Sequence, residues 1–475
     1  MTNSNPWVLD PDRALPAGST VRPLAREIYQ HISGLPIVSM HGHVEAELFL
    51  RNELFGNPAE MLIVPDHYLV RMLVSQGYRH SELGVPSKDG TAVEMDPRAI
   101  WRRFCQNWKL FRGTPTRFWL EHELAVIFGA TMLPSEENAD ALYDQLQAAL
   151  ATDAFRPLSI LERFNVEILA TTDAAAADLA AHHKLAQLPG AHKILPTFRP
   201  DSLLHVGNAN WCEEINTLSQ ASGIEVVDYG TFLDALRQRR ADFIAAGARA
   251  TDHGHLSADT TPLPAAESAR IFAAALQGTV TAQEAEAFSC SMIFEMARMS
   301  SEDGLVMQFH PGVLRNHNAA ILGAHGPDTG LDIPVAMEFT RALRPLLDEF
   351  GMNPNFRFIV FTTDETVYSR ELAPLAGAYP AMKLGAPWWF LDSPQQMLRF
   401  RESAVETAGF YNTSGFVDDT RALASIPARH DLSRRIDAGY LARLVAEGRM
   451  NLDEGIETAI DLTYNIPLQS YAARP

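Results

Sequence analysis

Two imidazoles separated by a single glycine, His41-Gly42-His43, close a short apolar run that starts after Pro36. The run Ile37-Val38-Ser39-Met40 is too short for a helix and reads as a buried strand. Residues two apart on a strand project to the same side, so both rings can aim at one point, and Gly42 leaves room beside it. That geometry suits a divalent metal; a pair of structural histidines is the alternative. Side chains able to do chemistry recur at the ends of later apolar runs: Thr171-Thr172-Asp173, Arg199-Pro200-Asp201, Asp252-His253, His310, Thr363-Asp364-Glu365, Trp388-Trp389 and Asp418-Asp419, with Arg421 just beyond. Singly, Asp173 reads as a helix cap, Asp201 as a turn residue and His253 as a surface residue. Together with the paired histidines they describe one site assembled from many strand ends.

Such a site requires elements that bring those ends together. Apolar runs at 37–40, 166–172, 193–198, 248–251, 305–309, 356–362, 381–385 and 415–417 predict eight strands, most followed by helical stretches. Strand-then-helix alternation implies parallel pairing with crossover helices, and eight units close a (β/α)8 TIM-like barrel, whose chemistry sits at the C-terminal ends of its strands. An open doubly wound sheet is the competing topology, but no GxGxxG or GxxxxGK[ST] follows a strand. A helix over 21–33, with Leu24, Ile28 and Ile32 on one face, precedes the first strand and should pack on the barrel's outside. Between strands one and two only helices are predicted: Thr114-Pro115 opens one that runs to Gly129, and Ser135-Glu136-Glu137 opens another with Ala139, Leu142, Leu146 and Ala149 on one face. The chain therefore divides into an N-terminal helix and first strand at 1–43, a helical insertion at 44–160 and the rest of the barrel at 161–475.

Composition bounds the partners. The 475 residues are 47% hydrophobic and 20% charged, the values of an ordinary globular protein. A net charge of -19 argues against nucleic acid and anionic membranes, and means that an anionic ligand needs local arginines. Cys105, Cys212 and Cys290 form no CxxC pair, the N-terminal stretch lacks the apolar core of a signal peptide, and no run is long enough to span a bilayer. A cytoplasmic enzyme is expected, with a homo-oligomer left open.

The motifs His41-Gly42-His43, Asp66-His67-Tyr68, Phe198-Arg199-Pro200-Asp201, Gln308-Phe309-His310 running into Leu314-Arg315-Asn316, Trp388-Trp389-Phe390 and Asp419-Thr420-Arg421 cover nearly the whole chain. In that order they resemble the uronate isomerases, a family of the amidohydrolase superfamily of metal-dependent barrels. The resemblance implies interconversion of D-glucuronate with D-fructuronate and of D-galacturonate with D-tagaturonate. It also implies one divalent metal ion, usually zinc, held by His41, His43 and Asp419. The sequence departs from the family pattern at Gly42, where some relatives carry cysteine, and across 362–366.

Residue chemistry can be read beside that resemblance. Aldose to ketose isomerisation moves a proton from C2 to C1 and another between the two oxygens, through an enediol that gathers negative charge. It needs a base, a proton shuttle and a cation. Asp419 suits the base, alone or through a substrate hydroxyl, and Tyr68 the shuttle, because a phenol both donates and accepts. Arg421 can hold sugar hydroxyls and stabilise the enediolate. Arg199 can hold an oxygen of the sugar acid or pair with Asp201, His67 and His310 can contact the substrate, and His310 can instead ligate the metal. Of Trp388 and Trp389, alternation lets one face the sugar and sends the other to the core, while Asp252 can orient a metal-bound histidine. A hydrolase of the same superfamily would call for a histidine ending strand six and often a lysine on strand four, and neither is found there; a noncatalytic sugar-acid binder would need neither base nor shuttle.

Overall fold

The structure is a computed structural model that describes residues 6–190 and 193–473. Its strands are β1 Ile37–Ser39, β2 Val166–Ala170, β3 Asp173–Ala174, β4 Ile194–Leu195, β5 Phe198–Arg199, β6 Ala250–His253, β7 Val306–Phe309, β8 Val313–Leu314, β9 Ile333–Pro334, β10 Phe358–Val360 and β11 Met382–Leu384. One parallel sheet runs β1-β2-β4 and another β11-β10-β7-β6-β5-β3. These are one surface, because β3 continues β2 and β5 continues β4. Hydrogen bonds carry across the breaks, from Thr171 N to the Leu195 carbonyl (2.9 Å) and from Asp173 N to the Thr197 carbonyl (3.0 Å).

The eighth position of the (β/α)8 ring is filled by the segment 412–420, which makes contacts on both sides without forming a regular ladder. On one side Leu384 N donates to the Asn412 carbonyl (2.8 Å) and Ser414 N to the Leu384 carbonyl (2.9 Å). On the other, Asp419 N donates to the His41 carbonyl (3.2 Å) and His43 N to the Thr420 carbonyl (2.9 Å). The strand expected at 415–417 is therefore an irregular segment with a single bridge, Leu384 to Thr413, and the left-handed Gly415 (φ 84°) bends it away from pleated geometry. The fourth strand also differs: it is β6, shifted toward the C-terminus from 248–251. The reason is local, since Gly247 N and Ala248 N are spent closing the preceding helix on the Ile244 and Phe243 carbonyls (both 2.9 Å). The antiparallel β8-β9 pair, inside the excursion after β7, was not foreseen.

Alternation along the strands decides which side chains reach the barrel interior. Phe309, Phe358 and Val360 belong to the cluster shared with the crossover helices, whereas Ala250, Val306 and Ile359 belong to a different one. Asp252 therefore lies on the inward face with Ala250, and His253 turns the other way, where its Nε2 meets Thr251 Oγ1 at 2.8 Å.

Between β1 and β2 the chain is helical, with α-helices such as His67–Val74, Pro97–Gln106, Pro115–His122 and Ala139–Leu150. Their core, with Trp101, Phe104, Phe111 and Leu146, is continuous with Ile37, Leu169 and Ile194 of the barrel wall. Thr114 Oγ1 accepts from Arg117 N (3.2 Å) to cap its helix, which widens into a π turn at Glu123–Ile127 before the left-handed Gly129. Ser135 does not open a helix; it exchanges hydrogen bonds with Asn138 in the turn that precedes Ala139–Leu150. The helix Val21–Ile32 buries Ala25, Ile28 and Ile32 against Ala438, Leu441 and Ala442 of Ser425–Ala446, the helix that follows the eighth segment on the outer layer. Among the described residues no helix is long and apolar enough to cross a membrane.

Candidate active site

At the C-terminal ends of the strands lies a cavity of about 390 Å³, bounded in part by His41, His43, His67, Arg199, His310, Trp388, Trp389, Asp419 and Arg421. His41 Nε2 is 3.3 Å and His43 Nε2 3.0 Å from the same oxygen, Oδ1 of Asp419. One ligand atom from each of the three residues lies within 4.8 Å of the others. Asp419 adopts a left-handed backbone (φ 47°), a conformation costly for a residue with a Cβ and found where surrounding structure imposes it.

Behind His41 sits Asp252, fully buried, with Oδ1 3.5 Å from His41 Nδ1 and 2.9 Å from His310 Nε2. Its other oxygen lies 3.2 Å from Arg199, whose Nε donates to Asp201 (2.9 Å). Gly254 N also donates to Asp201 (3.0 Å), and a Cβ at Gly254 would stand 2.7 Å from the His310 ring, so only glycine fits there. A carboxylate on Nδ1 of a histidine sets the tautomer that leaves Nε2 free as a lone-pair donor.

Burial alone would raise the Asp419 carboxyl, but the His41 and His43 imidazoles 3.3 and 3.0 Å away outweigh it and hold it well below the usual carboxylate range. Burial would lower His41, yet Asp252 and Asp419 together lift it; His43, with less anionic support, is left low. His67 is pushed down to about 4 by burial and by Arg421, which keeps its ring neutral. Both ring nitrogens of His41 and His310 and both oxygens of Asp252 are buried without a well-formed hydrogen bond. Polar atoms crowded so closely yet unsatisfied are what a cation would satisfy, and two imidazole nitrogens with a carboxylate form a donor set suited to a zinc-like divalent ion.

Tyr68 stands behind the cavity wall, with its ring 4.8 Å from His67 and 5.5 Å from Trp119. Its hydroxyl is buried without a well-aligned partner, and burial raises it well above the ordinary phenol value. Asp66 fixes this turn by accepting from Tyr68 N (2.9 Å) and Leu69 N (3.3 Å). Both tryptophans line the cavity, contrary to the alternation expected of them. Trp389 is left-handed (φ 52°) and begins a 3-10 turn, Trp389–Leu391, so the chain is not extended there.

Sequence reasoning missed the contribution of the excursion after β7. Arg315, Asn316, Asp328 and Asp332 also line the cavity. Arg315 pairs with Asp332 (2.9 Å) and lies 4.6 Å over the Trp389 ring, while Arg421 pairs with Asp328 (3.0 Å). Arg315 and Asn316 stand beside His310 in the motif that carried the resemblance; the two aspartates had no signal, since acidic residues in loops are common.

The family profile described as glucuronate isomerase matches residues 20–471. A uronate isomerase of Rhizobium meliloti is 50% identical over 464 residues, covering 98% of this chain and 99% of the relative. The crystal structure of glucuronate isomerase from Caulobacter crescentus superposes with a TM-score of 0.96 at 47% identity, covering 99% of this chain and 98% of that one. That of uronate isomerase from Thermotoga maritima gives 0.90 at 26% identity, covering 98% and 99%. Profile, full-length identity and superposition agree: the chain belongs to the glucuronate isomerase family and is an isomerase of uronates.

Proposed function

We propose that the cavity interconverts D-glucuronate with D-fructuronate and D-galacturonate with D-tagaturonate by proton transfer through an enediol, with one divalent ion, zinc, held by His41, His43 and Asp419. The observation that carries this reading is the convergence of two imidazole nitrogens on one Asp419 oxygen, at 3.3 and 3.0 Å, in a cavity lined by Arg199, Arg315 and Arg421. When bound, the ion supplies positive charge to fix the sugar acid's carboxylate and neighbouring hydroxyl.

The chain's own residues then divide the work. Asp419, held ionised, accepts the C2 proton and returns it to C1, alone or relayed through a sugar hydroxyl. Tyr68, kept protonated by burial and packed behind the cavity-lining His67 ring, is assigned the proton transfer between O1 and O2, relayed through that ring. Arg421 holds the sugar hydroxyls and stabilises the enediolate. Arg199, oriented by Asp201 and Asp252, and the neutral His67 hold sugar oxygens. His310, with Nε2 toward Asp252, offers Nδ1 to the substrate, and Trp388 and Trp389 form an apolar wall that excludes water. On this reading 1–43 supplies the first two ligands, the insertion at 44–160 brings His67 and Tyr68, and 161–475 brings the rest; the free thiols of Cys105, Cys212 and Cys290 suit a cytoplasmic enzyme.

The test follows both sugars by NMR with purified protein, before and after chelation. Conversion of each to its ketose, lost on chelation and restored by Zn2+, is expected. No conversion by loaded protein, or full turnover after complete metal removal, overturns the reading.

A further inference from the structure

Helix Ser425–Ala446 carries a buried cation that no step above uses. Arg429 is only 1% exposed. Its Nη1 donates to Asp392 Oδ2 (2.8 Å) and to the backbone carbonyl of Asp418 (3.1 Å), and its Nε donates to Ser425 Oγ (3.1 Å). The guanidinium carbon lies 3.8 Å over the Trp119 ring and 4.9 Å over the Tyr68 ring.

The Asp418 carbonyl belongs to the same peptide plane as the N–H of Asp419, and that N–H donates to the His41 carbonyl (3.2 Å). The plane is thus gripped from both sides, and orienting it sets φ of Asp419, the left-handed angle that aims the carboxylate at His41 and His43. The same guanidinium also lies against Tyr68, which arrives on a different part of the chain and meets the Trp119 ring edge-on at 5.5 Å. A planar fork donates within its plane while its carbon packs against aromatic rings, so it can do both jobs at once; an ammonium cannot. Asp392 balances the charge, so the cation can remain buried.

We infer that Arg429 is a positioning residue, registering the Tyr68 ring against the peptide plane that sets Asp419. This rests on the reading of Asp419 and Tyr68 given above, and its test keeps the two apart. Arg429→Lys retains the charge and loses the fork. The expected result is a fall in kcat per metal-loaded molecule of about tenfold to a hundredfold, the scale of a misplacement of about 1 Å, with KM nearly unchanged. Combined with Tyr68→Phe it should be non-additive: the double variant falls well short of the product of the two single losses. A merely structural role would instead lower Tm and yield, leave kcat per loaded molecule at the wild-type value, and overturn the inference; additive losses would overturn it too. Should Arg429→Lys fail to fold, Asp392→Asn decides, with a smaller kcat loss at unchanged KM expected and wild-type kcat contradicting. An inactive wild-type protein would refute the reading of the site rather than the role of Arg429.

Discussion

Two buried polar clusters in this molecule are built to opposite rules. Around Asp431 both carboxylate oxygens are used: Tyr29 donates to one, and Arg13 (2.6 Å) and Arg435 (2.9 Å) to the other, with His122 alongside at 3.3 Å. That cluster ties the N-terminal segment and the insertion to the last long helix. Around Asp252 and His41 the groups are more deeply buried and within 3.5 Å, yet the nitrogens of His41 and His310 and both Asp252 oxygens lack well-formed hydrogen bonds. Buried polar groups are normally satisfied, because leaving one unpaired costs about 1–3 kcal/mol. A cluster that satisfies itself is scaffolding; one that withholds its lone pairs is waiting for a ligand.

The contrast breaks most sharply at Asp419, 3.3 Å from His41, and at Asp431. Asp419→Asn, with zinc restored, should lower kcat about 10²–10⁴-fold, the usual contribution of a positioned base, with little effect on Tm. Steady-state kinetics checks it; near-normal turnover would remove Asp419 as base. His41→Ala should lower zinc occupancy and turnover together while the fold persists, which elemental analysis and circular dichroism decide. Full metal and full activity would place the ion elsewhere.

Asp431→Asn should do the reverse: destabilise by about 3–5 kcal/mol, because Arg13 and Arg435 are left buried without their counterion, while kcat per folded molecule stays at the wild-type value. Burial would raise Asp431, but the His122 hydrogen bond and the arginine charges hold it well below the usual range. A depressed carboxylate contributes stability that is present above about pH 4, its unfolded value, and is lost as pH falls toward the folded value. Acid denaturation curves of Asp431→Asn should therefore lack that portion of the wild-type slope; an identical slope would contradict the cluster's role. The smallest expected effect is that of Arg421→Lys. It keeps the charge at a partly exposed position, so zinc content should be unchanged and turnover should fall about tenfold to a hundredfold.

The sequence made one of these clusters readable and hid the other. His41 and His43 end an apolar run at a spacing with geometric meaning, and Asp419 and Arg421 sit just past another. Local pattern sufficed there. By contrast, Arg429, Asp431, Arg434, Arg435 and Asp437 make a charge run on a helix, which by pattern is a solvated face, and all five are buried. Their partners lie far away along the chain, at Tyr29, Asp392 and Arg401 among others, so nothing local announces the pairing. The two tryptophans show the same limit from another side. Alternation holds for extended chain, and a left-handed residue at Trp389 cancels it. Asp328 and Asp332 entered the cavity on an excursion whose path depends on packing against the insertion, as in the bond from Lys88 N to the Ala324 carbonyl (2.7 Å).

Isomerisation in this cavity moves a proton within the uronate, whereas hydrolysis there would add water to the substrate. Running D-glucuronate with the zinc-loaded protein in heavy water, with mass spectrometry and NMR of the product, separates the two. A ketose of the same composition as the substrate is expected, carrying at least partial solvent deuterium at C1. A product heavier by the mass of water would contradict it.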